Sequence, residues 1–305
     1  MDEVEREITD NADLWPYYSD ERVIWEMFKA LRPRTLTFVY VGSETVRYII
    51  VLKPEYLKMD LFKMCFRPEW RHKPVNVFMS IERVRKTKDG RVLKPRKELR
   101  RRWLEFVYGR DVVLDFDYKL GGTAKDRFEA VKPDVLKAAE LLEDYGAPFS
   151  IVFSGSKGFH LWIFWEDILA ALEELGYGQP KTGTQDDGRR INELVVALQG
   201  FISKKLVQQG IRNLDPSTFD CWKPLIRVPY SVHWKTGLVA LPVSPDELPD
   251  FSPEDARRDA VLALPNLGWR GWARRPGSLS GLMAEFLRLL KSSYPDLLSW
   301  LAHRA

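Results

Sequence analysis

The chain has 305 residues, of which 45% are hydrophobic and 30% charged, a composition typical of a soluble globular protein with one large or two ordinary domains. No apolar run is long enough to span a membrane, and the acidic N-terminus, Met1 to Glu5, lacks the apolar core of a secretory signal. The two cysteines, Cys65 and Cys221, exclude a disulfide framework and a four-thiolate zinc site. We therefore expect a reducing, cytoplasmic setting, no membrane contact and no structural zinc.

The net charge is +4, but it is unevenly distributed. Residues 71–110 contain 14 Lys and Arg against 4 Asp and Glu. A run of charge is usually a solvated face, and for any single lysine this is the better interpretation. An excess of this size next to a candidate metal site, described below, favours a polyanionic partner.

The N-terminal part of the chain alternates between helical and strand patterns. Residues 1–30 have helical spacing, and Trp15, Ile24, Trp25 and Phe28 are their candidate apolar contacts. The next predicted elements are, in chain order, strands over 36–40 and 46–52, a helix over 57–66, a strand over 75–84 and a hairpin turn at 88–90.

The segment 112–118, Val-Val-Leu-Asp-Phe-Asp-Tyr, is predicted to be a strand. Its alternate apolar side chains then face a core, while Asp115 and Asp117 share the opposite face, roughly 6.5–7 Å apart at Cα. Two such carboxylates can bind two divalent cations, an arrangement that supports in-line phosphoryl chemistry. The alternative is an edge strand with two solvated acids, although acids are poor strand formers and interrupt an otherwise apolar run here.

Downstream, strands and helices alternate, which predicts an α/β class with a mixed sheet. After Gly121-Gly122 the predicted elements are helices over 133–145, 166–175 and 191–209, strands over 149–153, 159–164, 224–228 and 238–243, and a loop over 177–190. Prolines at 242, 245, 249 and 253 mark a boundary. We therefore divide the chain into a first domain, residues 1–245, and a helical C-terminal extension, residues 246–305, with helices over 279–292 and 295–303.

A second candidate site is the turn Ser154-Gly155-Ser156-Lys157-Gly158-Phe159-His160. Its glycines let backbone N–H groups approach a ligand closely. Ser154, Ser156 and Lys157 offer donors suited to phosphate, and His160 begins the returning strand. Alone, such a turn is weak evidence, because a solvated lysine and an ordinary strand histidine are the commoner explanation.

A third cluster begins at Asp215. Arg227 carries a planar, permanently charged guanidinium, and His233 and Lys235 add donors for a polyphosphate. Either Asp215 or Asp220 could complete an acidic triad with the two aspartates of the strand, although a cap or turn role is the better interpretation of Asp220.

Three strings carry a resemblance to a known family. They are V-L-D-F-D at 113–117, F-S-G-S-K-G-F-H at 153–160 and R-V-P-Y-S-V-H-W-K-T-G-L-V-A-L-P-V at 227–243. In this order they resemble the small catalytic subunit of archaeal and eukaryotic DNA primases and, more broadly, the primase-polymerase superfamily. Pro16-Tyr17-Tyr18 resembles the family's early tyrosine segment.

The resemblance implies that residues 1–245 are a catalytic domain, with an RRM-like mixed sheet and an N-terminal αβ module. It implies that Asp115, Asp117 and Asp215 are catalytic and bind two Mg²⁺ or Mn²⁺ ions. The implied ligands of a nucleotide triphosphate are Ser154, Ser156, Lys157, His160, Arg227 and His233. Two departures are visible: replicative primases more often carry Arg at position 156, and they usually have a Cys/His zinc knuckle that this chain lacks.

The basic segment, residues 83–102, would then follow the phosphates of a single-stranded DNA template. The candidate template-binding side chains are Arg83, Arg85, Lys86, Arg100, Arg101 and Arg102. Other implied partners are nucleoside triphosphates and a primase large subunit, a helicase or another replication or repair factor.

The expected function is that of a DNA primase, a template-directed nucleotidyltransferase that makes primers on single-stranded DNA from NTPs or dNTPs. Three alternatives stay open: the end-joining polymerase domain of bacterial repair ligases, a metal-dependent nuclease, and an inactive binding subunit. The histidine and K-T-G of the third string favour the primase. The helical tail, residues 279–303, is either a helper for primer initiation or an ordinary part of the core.

Overall fold

The computed structural model describes residues 7–32, 34–40, 46–85, 102–118, 124–215, 225–268 and 274–302, and the statements below concern these residues. Within them the chain forms two larger sheets and a two-stranded ribbon, surrounded by helices. The mixed α/β class is therefore confirmed. The predicted hairpin at 88–90 lies outside the described residues.

The strands are β1 (Thr35–Tyr40), β2 (Val46–Ile50), β3 (Val75–Ser80), β4 (Glu82–Val84), β5 (Val107–Arg110), β6 (Val112–Phe116), β7 (Phe149–Phe153), β8 (Phe159–Ile163), β9 (Leu225–Arg227), β10 (Pro242–Val243) and β11 (Arg274–Arg275). The helices are α1 (Trp15–Tyr18), α2 (Glu21–Leu31), α3 (Pro54–Phe66), α4 (Pro68–Arg71), α5 (Ala124–Asp144), α6 (Trp165–Glu174), α7 (Gln185–Gln208), α8 (Arg258–Ala263), α9 (Ser280–Ser293) and α10 (Pro295–Ala302). Short 3-10 turns occur at Asn11–Leu14, Trp103–Phe106 and Pro253–Ala256.

The N-terminal helices pack through apolar stripes. Spacing of four residues buries Val23, Met27 and Leu31 on one face of α2, and Asp20 caps this helix by accepting a hydrogen bond from the Arg22 N–H at 2.8 Å. Trp25, one of the candidate apolar contacts, lies 5.8 Å from the Phe28 ring but does not enter the core. Because Trp25 lies two residues from Val23 on a helix, it is on the opposite face, and 51% of it is exposed.

The first sheet has the strand order β2-β1-β3-β9 and is antiparallel. The single strand predicted over 75–84 is broken at Ile81 into β3 and β4, and β4 pairs with β5 in the separate ribbon. At the break, the Ser80 hydroxyl donates to the Glu82 carbonyl at 2.7 Å and accepts from the Thr35 N–H at 3.1 Å. A local side-chain bond to the backbone thus redirects the chain.

The second sheet has the order β10-β7-β8-β6, and β11 also pairs with β7. Its described pairings are all antiparallel, where the sequence predicted a mixed sheet. The turn between β7 and β8 is too short for a parallel crossover. The strand predicted over 238–243 shortens to β10, because the preceding residues pair with Tyr230, Ser231 and His233 in a tight hairpin.

An aromatic cluster fixes α5 against the second sheet. The rings of Phe128, Phe153, Phe159 and Phe251 contact one another with centroids 5.4–6.1 Å apart. Phe128 belongs to α5, and Phe153 and Phe159 end β7 and begin β8. This packing holds the β7–β8 turn, the second candidate site, on a rigid base.

Two helices begin earlier than predicted. Pro133 lies inside α5 rather than at its start, and the lost backbone bond is offset by burial of Phe128, Val131 and Val135 on one face. The predicted loop over 177–190 ends at Thr184, which caps α7 by accepting from the Asp187 N–H at 3.0 Å.

The C-terminal helices join the core of the protein. Leu282, Phe286 and Leu290 of α9 are buried, the Phe286 ring lies 5.7 Å from that of Phe201 on α7, and β11 extends the second sheet. These contacts favour the core interpretation of the tail over a separate helper, and the described extension is not helical throughout. The boundary at residue 245 stays a prediction. No described helix has the length and apolar character that crossing a membrane requires.

Candidate active site

Three aspartates share one face at the end of β6. The Asp215 N–H donates to the Asp115 carbonyl at 2.7 Å, and the Asp117 N–H donates to the Asn213 carbonyl at 2.9 Å. This antiparallel register puts Asp215 directly opposite Asp115, so both side chains lie on the same face, and Asp117 shares that face two residues on. The sequence prediction of Asp115, Asp117 and Asp215 as one group therefore has the backbone arrangement it needs. Asp220 lies outside the described residues.

The backbone positions fit a metal site better than the side chains do as they stand. Carboxylate oxygens are the ligands that Mg²⁺ and Mn²⁺ prefer. However, among the described residues no three His, Cys, Asp or Glu side chains lie close enough together to hold a metal ion. Asp117 Oδ1 instead lies 3.1 Å from the ammonium of Lys157. As the side chains stand, Asp117 is paired with Lys157 and is not part of a metal-binding group.

The β7–β8 turn packs onto the end of β6. The Ser154 N–H donates to the Gly158 carbonyl at 2.9 Å, and the Ser154 hydroxyl accepts from the Gly158 N–H at 3.3 Å, which closes the turn. A Cβ at Gly158 would lie 2.2 Å from the Phe116 carbonyl oxygen, so only glycine permits this approach. The turn therefore places Lys157 beside Asp117 and 3.4 Å from the Tyr118 carbonyl. Ser156 is half-buried on the same turn.

His160 lies beside Asp115 on the sheet. The two residues are directly opposite in the β6–β8 register, with His160 Nε2 3.8 Å from Asp115 Oδ1. Burial, with the nearby charge of Arg227, lowers the pKa of His160 to about 3. His160 is therefore a neutral hydrogen-bonding group, and its buried Nδ1 has no hydrogen-bond partner among the described residues.

Arg227 reaches the site from the other sheet, at the end of β9. It is 8% exposed, donates from Nη1 to Asn76 Oδ1 at 2.7 Å, and lies over the Phe78 ring at 5.1 Å. In the described part of the chain no carboxylate lies within ion-pair distance of it, and burial lowers the pKa of Arg227 to about 10. A buried, uncompensated cation is costly unless an anion binds there. Asn76, which orients the guanidinium, was not identified from the sequence.

The third cluster packs directly on the second. The Thr236 hydroxyl donates to the Gly155 carbonyl at 2.5 Å, and a Cβ at Gly155 would lie 3.2 Å from the Cβ of His233. Burial, then the charges of Arg227 and Lys235, lower the pKa of His233 to about 3. Arg227 thus influences both histidines, and the structure brings together the groups that the sequence placed in separate clusters.

The basic segment is only partly described, and one of its predicted template contacts does not fit. Arg83 is 2% exposed and forms ion pairs with Asp111, at 2.7 Å, and Glu166. The side chain points inward from β4, so it cannot reach a template phosphate. Arg85 is exposed and contacts Thr182, and Arg102 is exposed and pairs with Glu105 at 2.7 Å. Lys86, Arg100 and Arg101 lie outside the described residues.

Comparisons with known proteins give sequence relatives and distant structural likenesses. No protein-family model matches the chain. The solved polymerase domain of Mycobacterium tuberculosis Ligase D, in complex with DNA, is 17% identical and superposes with a TM-score of 0.46, covering 97% of this chain and 93% of that one.

The sequence relatives are archaeal. The DNA primase small subunit PriS of Pyrobaculum islandicum is 29% identical over 143 residues, which cover 40% of this chain and 45% of the relative. PriS of Pyrobaculum calidifontis is 30% identical over 179 residues, covering 49% of this chain and 55% of the relative. PriS of Thermoplasma volcanium is 26% identical over 187 residues. The chain thus spans about half the length of the curated relatives it matches, and these matches relate it to the primase-polymerase superfamily.

Proposed function

We propose that the chain is a template-directed nucleotidyltransferase that synthesises primers on single-stranded DNA. The observation that carries the proposal is the placement of three aspartates on one sheet face, near a buried arginine for which the described residues supply no carboxylate. Carboxylates are suited to divalent cations, and an uncompensated guanidinium is suited to an anion. A nucleoside triphosphate bound with divalent metal ions supplies the cations for the carboxylates and the anion for the arginine.

Asp115, Asp117 and Asp215 are the residues that would hold two Mg²⁺ or Mn²⁺ ions. When bound, such ions activate a 3′-hydroxyl and stabilise a leaving pyrophosphate. The protein's own contribution is to hold three carboxylates on one sheet face, in a register that the backbone bonds between 115–117 and 213–215 fix. Positioning and charge stabilisation therefore carry the reaction, as in phosphoryl transfer generally.

The triphosphate would lie between the β7–β8 turn and Arg227. The ammonium of Lys157 would leave Asp117 and pair with a phosphate oxygen. The Asp117 carboxylate would then be available to bind a metal ion. His160 and His233, held neutral by burial, would donate hydrogen bonds rather than charge. The Ser154 hydroxyl accepts a bond within the turn and keeps its proton available to donate, and Ser156 adds a second hydroxyl.

A template strand would follow the exposed basic side chains. Arg85 and Arg102 are exposed, and Lys86, Arg100 and Arg101 continue the same basic run in the sequence. Arg83 is left out of this path because it is buried and ion-paired. A large subunit or another replication or repair factor stays a candidate partner.

The test is a primer-synthesis assay on single-stranded DNA, with rNTPs and dNTPs supplied separately and Mg²⁺ or Mn²⁺ as the metal. We expect dinucleotide and longer products that disappear in Asp115→Asn. Extension of an annealed primer without dinucleotide formation would show a polymerase that cannot initiate. Cleavage of labelled DNA with Mn²⁺ and no nucleotide would instead support a nuclease and contradict the proposal.

A further inference from the structure

The backbone of residues 230–234 is bound along one edge by the N-terminal segment. The Tyr17 hydroxyl donates to the Tyr230 carbonyl at 3.0 Å, and the Tyr18 hydroxyl accepts from the Val232 N–H at 2.9 Å. The Ile8 N–H donates to the Trp234 carbonyl at 2.7 Å. Every second residue of the turn is therefore held by a segment more than 200 positions away in the sequence.

The opposite edge of the turn is bound by its own hairpin. The His233 N–H donates to the Leu238 carbonyl at 2.8 Å, and the Ala240 N–H donates to the Ser231 carbonyl at 2.8 Å. Residues 231 and 233 thus bind the hairpin, and residues 232 and 234 bind the N-terminal segment. Tyr230 binds both, because its N–H donates to the Ala240 carbonyl at 2.6 Å and its carbonyl accepts from Tyr17. His233 is fixed between two sets of bonds.

The conformation of the turn needs this support. Tyr230 has φ +66°, a left-handed conformation that a bulky residue rarely adopts. Such strain persists only where the surroundings over-determine the backbone. Its carbonyl is the acceptor for Tyr17, and the Val232 N–H two residues on is the donor to Tyr18.

The surroundings of Tyr17 and Tyr18 favour hydrogen bonds between neutral hydroxyls and the turn. Both are buried, their rings are 5.4 Å apart in an edge-to-face arrangement, and burial raises the pKa of each, so both hydroxyls are neutral. Replacing either residue by phenylalanine keeps the ring in place and removes a single hydrogen bond. The effect of the hydroxyl on the turn can therefore be measured separately from packing.

We propose that Tyr17 and Tyr18 are positioning residues, which hold the 230–234 turn so that His233 faces the triphosphate site. This inference rests on the proposed function, because it assigns His233 to nucleotide binding. Neither tyrosine touches the nucleotide, since both act through the backbone of the turn. The N-terminal module would thereby contribute to the nucleotide site of the other sheet.

The first experiment compares KM for the nucleotide with kcat in Tyr17→Phe and Tyr18→Phe. Tyr18→Phe leaves the buried Val232 N–H without its acceptor, so we expect the larger rise in KM, roughly five- to hundredfold, with kcat little changed. Tyr17→Phe should raise KM by about two- to tenfold. The control is Tyr145→Phe, which removes a hydroxyl that accepts from Lys205 of α7 at 2.8 Å and is not bonded to the turn, and should leave KM unchanged.

A second experiment separates positioning from general stability. If Tyr18 acts through His233, then Tyr18→Phe should add no further loss of nucleotide affinity in a His233→Ala background. Fully additive losses, or an unchanged KM in Tyr18→Phe, would overturn the proposal.

Amide hydrogen exchange distinguishes failure of the positioning proposal from failure of the proposed function. Wild-type protein that binds no nucleoside triphosphate would refute the proposed function without reference to the tyrosines. In either case, Tyr18→Phe should accelerate exchange at Val232 and its neighbours in the turn, while exchange in α5 stays as in the wild type. Unchanged exchange at residues 230–234 would show that the tyrosines do not hold the turn, and the proposal would be wrong.

Discussion

Arg83 and Arg227 are both buried, but their surroundings differ in one decisive respect. Arg83 contacts two carboxylates, Asp111 and Glu166. Arg227 contacts a neutral amide and a ring face, and the described residues place no carboxylate beside it. Burial lowers the pKa of both, but the two acids raise that of Arg83 above its ordinary value, whereas that of Arg227 falls to about 10.

The difference separates a charge that the protein itself compensates from one that we propose binds a ligand. Asp111, which immediately precedes β6, also pairs with Arg34 and accepts from the Trp165 N–H at 2.9 Å, so the charge of Arg83 is paired within the protein. Arg227 is incomplete within the described residues, and a ligand anion would complete it. Stability is therefore expected to depend on the first arginine and nucleotide binding on the second.

The largest expected contrast is between two aspartates four residues apart. Asp115→Asn should reduce the rate of nucleotide incorporation by several orders of magnitude, because it removes a proposed metal ligand. It should leave folding intact. Asp111→Asn should instead lower the free energy of unfolding by about 3–5 kcal/mol, because it leaves buried arginines short of a carboxylate. Incorporation assays and urea unfolding check both variants, and full activity in Asp115→Asn would contradict the metal assignment.

The two arginines themselves give the next contrast. Arg227→Met should weaken nucleotide binding by about 1.5–3 kcal/mol, the value of a charge-assisted hydrogen bond, with a stability cost of only about 1 kcal/mol for the lost bond to Asn76. Arg83→Met should lower stability by about 3–5 kcal/mol and leave the nucleotide affinity of the folded fraction unchanged. If Arg83→Met and Arg227→Met weakened nucleotide binding equally, the proposed difference between the two arginines would be wrong.

A smaller effect is expected on the template path. Arg102→Gln should reduce the salt dependence of single-stranded DNA binding by about 0.7 in logarithmic slope, the value for one lost phosphate contact. Arg288→Gln, an exposed arginine of α9, is the control and should leave the slope unchanged. Equal slopes for wild type and Arg102→Gln would mean that Arg102 is a solvated surface residue that does not contact the template.

A further expected effect is a pH dependence of stability. Folding lowers the pKa of His233 from 6.5 to about 3, so the unfolded chain binds a proton first as the pH falls. The contribution of His233 is fully present above about pH 6.5 and is lost as the pH falls toward 3. Urea unfolding at pH 5 and pH 8 should show a smaller stability difference in His233→Gln than in the wild type. An identical difference would mean that His233 is protonated in the folded state.

Local patterns predicted the backbone of two parts of the candidate site. The alternation of apolar residues with Asp115 and Asp117 indicated a strand, and the Gly/Ser/Lys sequence before His160 indicated a tight turn between two strands; phosphate binding by that turn stays a prediction. Both patterns involve residues that are close together in the chain, so they can be recognised directly in the sequence. The meeting of these clusters with Arg227 required the resemblance, because a pairing between distant segments leaves no periodic signal.

The failures have the same physical origin. Arg83 belongs to a basic run, and nothing in the run indicates which arginine turns inward to meet Asp111. Pro133 predicts a helix start by local preference, but tertiary burial of the α5 face overrides it. The contacts of Tyr17 and Tyr18 with the 230–234 turn join segments that are far apart in the sequence, so hydroxyl spacing could not reveal them.

The most direct test of the central claim is the thermal shift caused by a nucleoside triphosphate with Mg²⁺. A ligand that completes Arg227 stabilises the folded protein by mass action. The account predicts a concentration-dependent rise in Tm for the wild type that is lost in Arg227→Met and retained in the exposed-surface control Arg288→Gln. A rise of equal size in Arg227→Met, or none in the wild type, would contradict it.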